Sequence, residues 1–213
     1  MTRINTIIRT LKRLYPSPRC ELNYSRSTPH ELLIATRLSA QCTDKRVNIV
    51  TPQLFAAFRT IADFANANVA DIENIIKSCG LYKTKAADIK EICASLLENH
   101  GGVIPDNMDS LLELPGVGRK TANLILGELY GFPAVVADTH VIRLSNRLGL
   151  VSGKNAFKVE MSLREQLPPE ESLHFCHRLV LHGREVCKAR KPDCEKCGLS
   201  TNGRICEQIL HHC

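Results

Sequence analysis

The sequence repeats apolar residues at intervals of three and four along most of its length, and glycines interrupt this pattern where helices would end. Gly101 and Gly102 follow the periodic segment Thr84–His100, and Gly131 follows Thr121–Tyr130. A glycine just beyond a helix enters the left-handed region of the backbone without a Cβ penalty. No alternation of apolar and polar residues, the mark of strands, persists. The sequence therefore predicts an all-α protein of about ten short helices.

Three further glycines indicate helix ends, because each follows a periodic segment: Gly80 (segment from near Val69), Gly149 (Thr139–Leu148) and Gly183 (segment from near Pro169). Two helix starts are predicted from side chains whose oxygens accept hydrogen bonds from the first amides of a helix. One start is at Thr43 or Asp44, and the other is at Asp138 or Thr139.

The N-terminal segment Met1–Tyr15 is basic, and its apolar residues fall at helical spacing. Such a segment could be an organelle transit peptide. We favour a surface helix of the fold, because the apolar residues line one face. No secretory signal opens the chain, and no stretch is long and apolar enough to span a membrane.

Charge restricts the function less than the cysteines do. Lysine and arginine total 28 against 22 acidic residues, a formal net charge of +6, which suits a phosphate-rich partner but does not by itself indicate one. The chain has ten cysteines. Because a soluble intracellular protein disfavours a disulfide framework, these cysteines are expected to be core residues, metal ligands or both.

The last thirty residues carry five of the cysteines and few apolar residues, so a metal centre is expected to support their folding. Cys187, Cys194, Cys197 and Cys206 are separated by six, two and eight residues. Zinc and iron–sulfur clusters both accept four thiolates, and the spacing alone does not choose between them. The cysteines earlier in the chain are expected to pack as small apolar groups: Cys20, Cys42, Cys79, Cys93 and Cys176.

The segment Leu114–Lys120 (LPGVGRK) lies between two helical patterns. Pro115 fixes φ, whereas Gly116 and Gly118 allow backbone angles closed to other residues and let a ligand approach closely. The alternative is a plain turn between packed helices. The complete string favours a turn whose amides open a helix and bind phosphate, which would grip DNA of any sequence.

Lys120 falls in the first turn of the following helix, where the helix dipole disfavours a second positive charge. Dipole and partial burial together favour the neutral amine, which can attack a carbon and form a Schiff base. The alternative is a lysine that binds phosphate. Asp138 comes where the next apolar run ends; it suits a helix N-cap, and it suits a carboxylate that stabilises positive charge and shuttles protons. His140 could line the same pocket, although a lone histidine is more often structural.

Two segments, Leu114–Ala122 (LPGVGRKTA) and Val136–Arg143 (VADTHVIR), resemble the catalytic segments of the endonuclease III family of helix–hairpin–helix glycosylases. The resemblance extends from Glu21 to Cys206 and implies a DNA glycosylase that also cleaves abasic sites. Lys120 would attack C1′ of the sugar, the damaged base would leave, and the imine would undergo β-elimination. Asp138 would assist departure of the base and later proton transfers.

The same resemblance assigns the DNA contacts. Leu38–Asp44 and Gly80–Lys83 are similar to the loops that the family inserts into the duplex, although Cys42 stands where an alanine is common in relatives. Gln41 would fill the space left by a flipped-out nucleotide, and Leu81 would enter the opposite strand. Backbone contacts would come from the hairpin and from a basic loop near the C-terminus: Gly116, Gly118, Arg119, Lys188, Arg190 and Lys191.

The cysteine-rich segment resembles the family's cluster loop, which implies a 4Fe-4S cluster held by Cys187, Cys194, Cys197 and Cys206. The family's last gap is usually five residues and is eight here, so Cys213 is a second candidate for the fourth ligand. The cluster would be structural and would hold the basic loop against the phosphate backbone.

The resemblance implies two helical lobes that flank a DNA-binding groove. Residues 22–133 would form a six-helix barrel domain with the hairpin, and residues 1–21 plus 134–213 would form a discontinuous iron–sulfur cluster domain. The expected partner is double-stranded DNA with an oxidised pyrimidine, such as thymine glycol, or an abasic site. The protein would be a monomer that does not associate with a membrane. It would be located in a bacterial or archaeal cytoplasm and associate with the nucleoid through DNA.

Three alternatives remain open on the sequence. A mismatch or adenine glycosylase is disfavoured, because the adenine-specific relatives lack the lysine at the position of Lys120 and carry an extra C-terminal domain. A module that recognises damaged DNA without cutting would bind but show no turnover. A zinc-containing DNA-binding protein would lack the absorbance of an iron–sulfur cluster.

Overall fold

The computed structural model describes residues 2–199 and Cys206. This part of the chain contains eleven α-helices, one short 3₁₀ helix and no strand, which confirms the all-α prediction. In chain order the α-helices are α1 (Arg3–Leu14), α2 (His30–Leu38), α3 (Asp44–Ala57), α4 (Ile61–Asn66), α5 (Val69–Ile76), α6 (Tyr82–His100), α7 (Met108–Glu113), α8 (Arg119–Tyr130), α9 (Thr139–Arg147), α10 (Ala156–Gln166) and α11 (Ser172–Glu185). The 3₁₀ helix, Pro169–Glu171, directly precedes α11.

The backbone divides into two compact units. One is continuous, Cys20–Gly131, and the other combines Met1–Arg19 with Phe132–Cys213.

The continuous unit is organised around α6, its longest helix, which contacts α2, α4 and α5. The fully buried ring of Phe64 in α4 lies in this core, with the ring centroid of Phe58 5.1 Å away. Helices α7 and α8 pack against each other and form the two arms of the predicted hairpin.

In the discontinuous unit, α11 contacts both α1 and α9. The apolar face of α1 buries Ile7 and Leu11, and the Lys12 ammonium pairs with Glu171 at 2.5 Å. The segment Met1–Tyr15 therefore contains a packed surface helix of the fold, as favoured from the sequence. None of the described helices combines the length and apolar character that a bilayer span requires.

Most helix ends lie where the capping residues predict them. Thr43 is the N-cap of α3 and accepts a hydrogen bond from the Arg46 amide at 3.2 Å. Gly101 and Gly131 terminate α6 and α8 in the left-handed conformation, with φ of 58° and 70°. Helix α5 ends at Ile76, well before Gly80, so the prediction that Gly80 directly closes this helix is wrong.

Gly183 is a second exception, because it lies inside α11 rather than at its end. A Cβ atom on Gly183 would lie 2.7 Å from Nδ1 of His140 and 2.9 Å from a terminal nitrogen of Arg143. Those residues belong to α9. The glycine therefore allows two helices to approach each other closely, a requirement that the local sequence pattern does not reveal.

Candidate nucleic-acid interface

The Leu114–Gly118 turn joins α7 to α8 and is closed by a hydrogen bond of 3.1 Å from the Val117 amide to the Leu114 carbonyl oxygen. Leu114 and Val117 are buried and anchor the turn, whereas Gly116 and Gly118 are exposed. Gly116 has a φ of 67°, which favours glycine. The exposed glycines leave the turn's backbone accessible from outside the fold.

Gly118 is the N-cap of α8 and, as a glycine, has no side chain that could cap the first amides of this helix. Amides at a helix N-terminus carry a partial positive charge and suit an anion such as phosphate. The arrangement predicted for backbone phosphate binding is thus present in the geometry of the turn.

Lys120 is the second residue of α8, directly beyond the turn, and its side chain is exposed. The partial burial expected from the sequence is not observed. Lys120 does lie at the positive end of the helix dipole of α8, as expected from the sequence. Exposure also means that an incoming substrate can reach the amine without a rearrangement of the core. Arg119, the first residue of the helix, is half-buried.

Gln41 and Leu81 share a backbone feature that residue type does not predict: both are in the left-handed region, with φ of 53° and 59°. Such a conformation costs a non-glycine residue about 1–2 kcal/mol, and residues held in it cluster at binding sites. Both side chains are exposed, and Leu81 shows 57% of its surface to solvent.

The two loops lie side by side in the continuous unit. A Cβ atom on Gly80, the neighbour of Leu81, would lie 3.4 Å from the Gln41 carbonyl oxygen. The structure therefore brings together the two residues that the family resemblance assigned to insertion into the duplex. An exposed leucine on a fixed backbone can enter a base stack with little further loss of backbone conformational entropy.

Lys85 supports these two loops from the core of the unit, a role that was not predicted from the sequence. Its side chain is fully buried, and its ammonium donates a hydrogen bond of 2.8 Å to the Leu38 carbonyl oxygen at the end of α2. Burial lowers the pKa of Lys85. Burial also raises the pKa of the Cys79 thiol to about 11, and a contact with the Cys42 thiol acts in the same direction. A signal was available, since Lys85 lies at helical spacing from the buried residues Ile89 and Ile92.

Asp138 is half-buried in the discontinuous unit, at the start of α9. Its Oδ1 accepts a hydrogen bond of 2.7 Å from the Val141 amide, which confirms the predicted N-cap. His140 is the second residue of α9, and its Nδ1 lies 3.2 Å from the Arg143 guanidinium. This contact, together with its proximity to Gly183, indicates that His140 is a packing residue between α9 and α11.

The cysteine-rich segment follows α11. Cys187, Cys194, Cys197 and Cys206 are half-buried and are not in disulfide bonds. A terminal nitrogen of Arg147 donates to the Cys187 sulfur at 3.1 Å, and Nε2 of His182 lies 3.4 Å from the Cys197 sulfur. Cys213, the second candidate for the fourth ligand, lies outside the described residues.

The donor set fits a metal centre in its chemistry, because four thiols lie within one short segment, the Cys187 sulfur accepts from Arg147 and the Cys197 sulfur lies beside a ring nitrogen of His182. Within residues 2–199 and Cys206, however, no group of three or more candidate ligands is already assembled around one point.

Lys188, Arg190 and Lys191 are all exposed on the loop between the first two of these cysteines. Arg147 fixes the start of this loop, since its guanidinium donates to the carbonyl oxygens of Lys188 at 2.8 Å and Ala189 at 3.1 Å. The loop thus presents three positive side chains to solvent, and the Arg147 side chain holds its backbone in place. The role of Arg147 was not predicted from the sequence, since its partners lie some forty residues further along the chain.

Comparison with known proteins adds two kinds of similarity. Residues 34–169 match the family model described as "HhH-GPD superfamily base excision DNA repair protein". The chain is 44% identical to endonuclease III of Synechocystis sp. over 199 residues, which are 93% of this chain and 90% of that protein. It is also 44% identical to endonuclease III of Escherichia coli strain K12 over 191 residues, 90% of each chain.

Solved structures agree with these sequence matches. The backbone is similar to that of a non-covalent endonuclease III–DNA complex, with a TM-score of 0.90 and 40% identity over 98% of this chain and 96% of the other. It is also similar to a trapped endonuclease III–DNA covalent intermediate, with a TM-score of 0.87 and 41% identity over 92% and 93% of the two chains.

Proposed function

The chain belongs to the HhH-GPD superfamily of base excision DNA repair proteins and, within it, to the endonuclease III family, and on this premise we propose that it removes oxidised pyrimidines from DNA and cleaves abasic sites through a lysine Schiff base. One observation carries the proposal: Lys120 is exposed directly beyond a glycine turn whose backbone is open to phosphate.

Lys120 is the nucleophile in this proposal. Its neutral amine forms a bond to C1′ of the sugar while the bond from C1′ to the base breaks, and the base departs with a proton. The amine then loses a proton, and the C1′–O4′ bond of the sugar breaks as the C1′–N double bond of the imine forms, with the ring oxygen taking up a proton. Removal of a proton from the adjacent sugar carbon expels the 3′ phosphate, and water releases the lysine from the sugar. The similarity to a protein trapped covalently on DNA supports this route.

Asp138 assists the departure of the base in this proposal. A carboxylate stabilises the positive charge that develops on the sugar, and it can accept and return protons in the later steps. Its Oδ1 is held by the Val141 amide, so the side chain is fixed in one rotamer before substrate binds. Fixed groups lose little conformational entropy in the transition state.

Two kinds of contact bind double-stranded DNA. The hairpin of Gly116, Gly118 and Arg119 and the basic loop of Lys188, Arg190 and Lys191 take the phosphate backbone. Gln41 and Leu81 enter the duplex and replace the flipped nucleotide, since a base inside the stack is out of reach of any lysine. The left-handed backbone at both positions supports this assignment, because it sets the side chains before binding.

A 4Fe-4S cluster held by Cys187, Cys194, Cys197 and Cys206 completes the proposal. The cluster supplies structural stability to the C-terminal segment, and the residues described above carry out the reaction. Absorbance near 400 nm, roughly as thiolate-bound iron–sulfur clusters show, distinguishes this cluster from zinc. We propose that the protein works as a monomer in the bacterial cytoplasm, on the nucleoid, in keeping with its bacterial relatives.

The test is borohydride trapping on a duplex with one thymine glycol and on a duplex with one abasic site. Wild type and Lys158→Ala, which removes an exposed lysine of α10, are expected to form a covalent complex. Lys120→Ala is expected to bind the duplex but to give neither complex nor nick. Equal loss of binding and cutting in Lys120→Ala would indicate a phosphate-binding lysine. Absence of trapping and nicking in the wild type would indicate a module that only recognises damage.

A further inference from the structure

An ion pair between α2 and α6 lies directly against the hairpin. Nε of Arg37 donates a hydrogen bond of 2.7 Å to Oδ2 of Asp88, and a terminal guanidinium nitrogen donates to the same oxygen. Only 15% of the Arg37 side chain and 20% of the Asp88 side chain are exposed. Two donors on one carboxylate oxygen, largely screened from water, fix the relative position of the two side chains.

The backbone of the hairpin rests on this pair. A Cβ atom on Gly116 would lie 2.9 Å from Nε of Arg37 and 3.3 Å from Oδ2 of Asp88. No side chain therefore separates the turn from the ion pair. Because Gly116 has no Cβ, the ion pair can contact the backbone of the turn directly at this residue. A shift of the pair is therefore expected to move the backbone of the turn.

The three segments that meet here are those that the proposed function uses. Arg37 precedes Gln41 by four residues, Asp88 follows Leu81 by seven, and Gly116 precedes Lys120 by four. The Lys85–Leu38 hydrogen bond already ties α6 to α2 one turn away. The ion pair adds the hairpin to this assembly.

We infer that Arg37 and Asp88 are positioning residues that hold the Gly116 turn, and with it Lys120, in register with the loops that carry Gln41 and Leu81. This inference rests on the proposed function. Nucleophilic attack requires the reacting atoms to be about 3–3.5 Å apart in the right direction, so a small displacement of the turn slows the reaction more than it weakens binding. A pair that serves stability alone would change the unfolding temperature and leave the reaction rate unaffected.

Asp88→Asn distinguishes a positioning role from a purely electrostatic one. Loss of the negative charge is expected to strengthen DNA binding, whereas loss of positioning is expected to slow the reaction. The variant removes a negative charge, which favours association with DNA. It also leaves Arg37 with a neutral acceptor and releases the turn. Lys90→Met is the matched control. Lys90 lies in the same helix and donates a hydrogen bond of 2.8 Å to the Ala67 carbonyl oxygen, far along the chain from the hairpin.

Single-turnover nicking of an abasic-site duplex at saturating enzyme is measured together with the dissociation constant. For Asp88→Asn we expect a rate roughly tenfold or more below wild type, within the range that small misplacements cause, and a dissociation constant that is unchanged or lower. Lys90→Met is expected to keep the wild-type rate. Asp88→Glu retains the carboxylate and is expected to recover most of the rate.

Hydrogen exchange gives a readout that does not depend on activity. The Val117 amide, which donates to Leu114 within the turn, is expected to exchange faster in Asp88→Asn than in wild type and Lys90→Met. If the wild type neither nicks nor traps, the proposed function fails, whereas the exchange data still test the effect of the pair on the turn.

Two results would overturn the inference: a wild-type nicking rate in folded Asp88→Asn, or equal exchange at Val117 in all variants. If Asp88→Asn does not fold, Arg37→Lys takes its place. That variant keeps the charge but loses the second donor, and we expect a smaller fall in rate with faster exchange at Val117. A wild-type rate and wild-type exchange in Arg37→Lys would equally exclude a positioning role.

Discussion

The buried ammonium of Lys85 donates a hydrogen bond of 2.8 Å to the carbonyl oxygen of Leu38. This bond joins the first turns of α6 to the last residue of α2. The two left-handed residues, Gln41 and Leu81, lie just beyond these helix ends. This hydrogen bond inside the core therefore helps to fix the spacing of two surface loops, together with the Arg37–Asp88 pair between the same helices.

Replacing Lys85 by methionine is expected to destabilise the protein by about 1–3 kcal/mol, because the buried Leu38 carbonyl loses its donor. Relief of the buried charge offsets part of this cost. Urea unfolding measures the change. Lys83→Met, at an exposed lysine of the same helix, serves as the control and is expected to have little effect. Equal stability of the two variants would show that the Lys85 bond contributes nothing.

Gly116→Ala and Gly118→Ala are expected to differ, although the two glycines are two residues apart. At Gly116 an alanine meets a left-handed φ, which costs about 1–2 kcal/mol, and its Cβ collides with Arg37. Gly118 has a φ of −103° and open space around a Cβ. Thermal unfolding of both variants checks this. If Gly118→Ala is the more destabilised, the turn geometry described above is wrong.

Asp138→Asn is expected to keep the stability of the wild type and to lose roughly a hundredfold or more in rate, because asparagine caps a helix as well as aspartate but has no carboxylate. Asn155→Ala is the converse control, a variant expected to lose stability but to keep its reaction rate. It removes the N-cap of α10, which accepts from the Lys158 amide at 3.0 Å, and is expected to cost about 1 kcal/mol without a change in rate. Single-turnover nicking and urea unfolding are compared. An active Asp138→Asn would restrict Asp138 to its capping role.

Cys194→Ala is expected to lose bound iron and the absorbance near 400 nm, at roughly the position expected for iron–sulfur clusters. Cys176→Ala is the control, since Cys176 is buried in α11 and packs as an apolar group. Burial raises the pKa of the Cys176 thiol to about 12, in keeping with a neutral thiol rather than a ligand. Iron content per chain is measured for both purified variants. Full iron content in Cys194→Ala would exclude this cysteine as a ligand.

The stability of the protein is expected to fall with pH below about 6.5, the ordinary pKa of histidine, in part because of His30. Burial lowers the pKa of His30, and the charge of Glu31 opposes this only in part. The unfolded chain therefore binds a proton that the folded chain does not, so protons favour unfolding in this window. His30→Gln, measured by urea unfolding across the window, is expected to show a shallower dependence on pH. A dependence as steep as that of wild type would contradict this.

The sequence predicted features that depend on neighbouring residues. Thr43, Asp138, Gly101 and Gly131 act at helix ends as expected, because caps and left-handed terminators are set by local backbone chemistry. Gly183 was misread as a terminator for the same reason: a glycine required by close helix packing has the same local signature as one that ends a helix.

The features missed from the sequence are those that join distant residues. Arg37 and Asp88 are 51 residues apart, and nothing in either local pattern pairs them. The left-handed backbone of Gln41 and Leu81 is equally hidden, since neither residue type favours it. Those two positions were selected only through the family resemblance. Fold class and helix caps can be predicted from neighbouring residues. The contacts that position the candidate site join residues far apart in the sequence and cannot be predicted in this way.

The pairing of α1 with α11 has a consequence for biosynthesis. Helix α1 leaves the ribosome well before α11, the helix that it contacts, because α11 begins only at Ser172. The intervening Cys20–Gly131 unit is continuous and can fold as soon as it has emerged. The apolar face of α1 therefore stays uncovered by α11 while the intervening residues are synthesised, and the discontinuous unit cannot be completed until α11 has emerged.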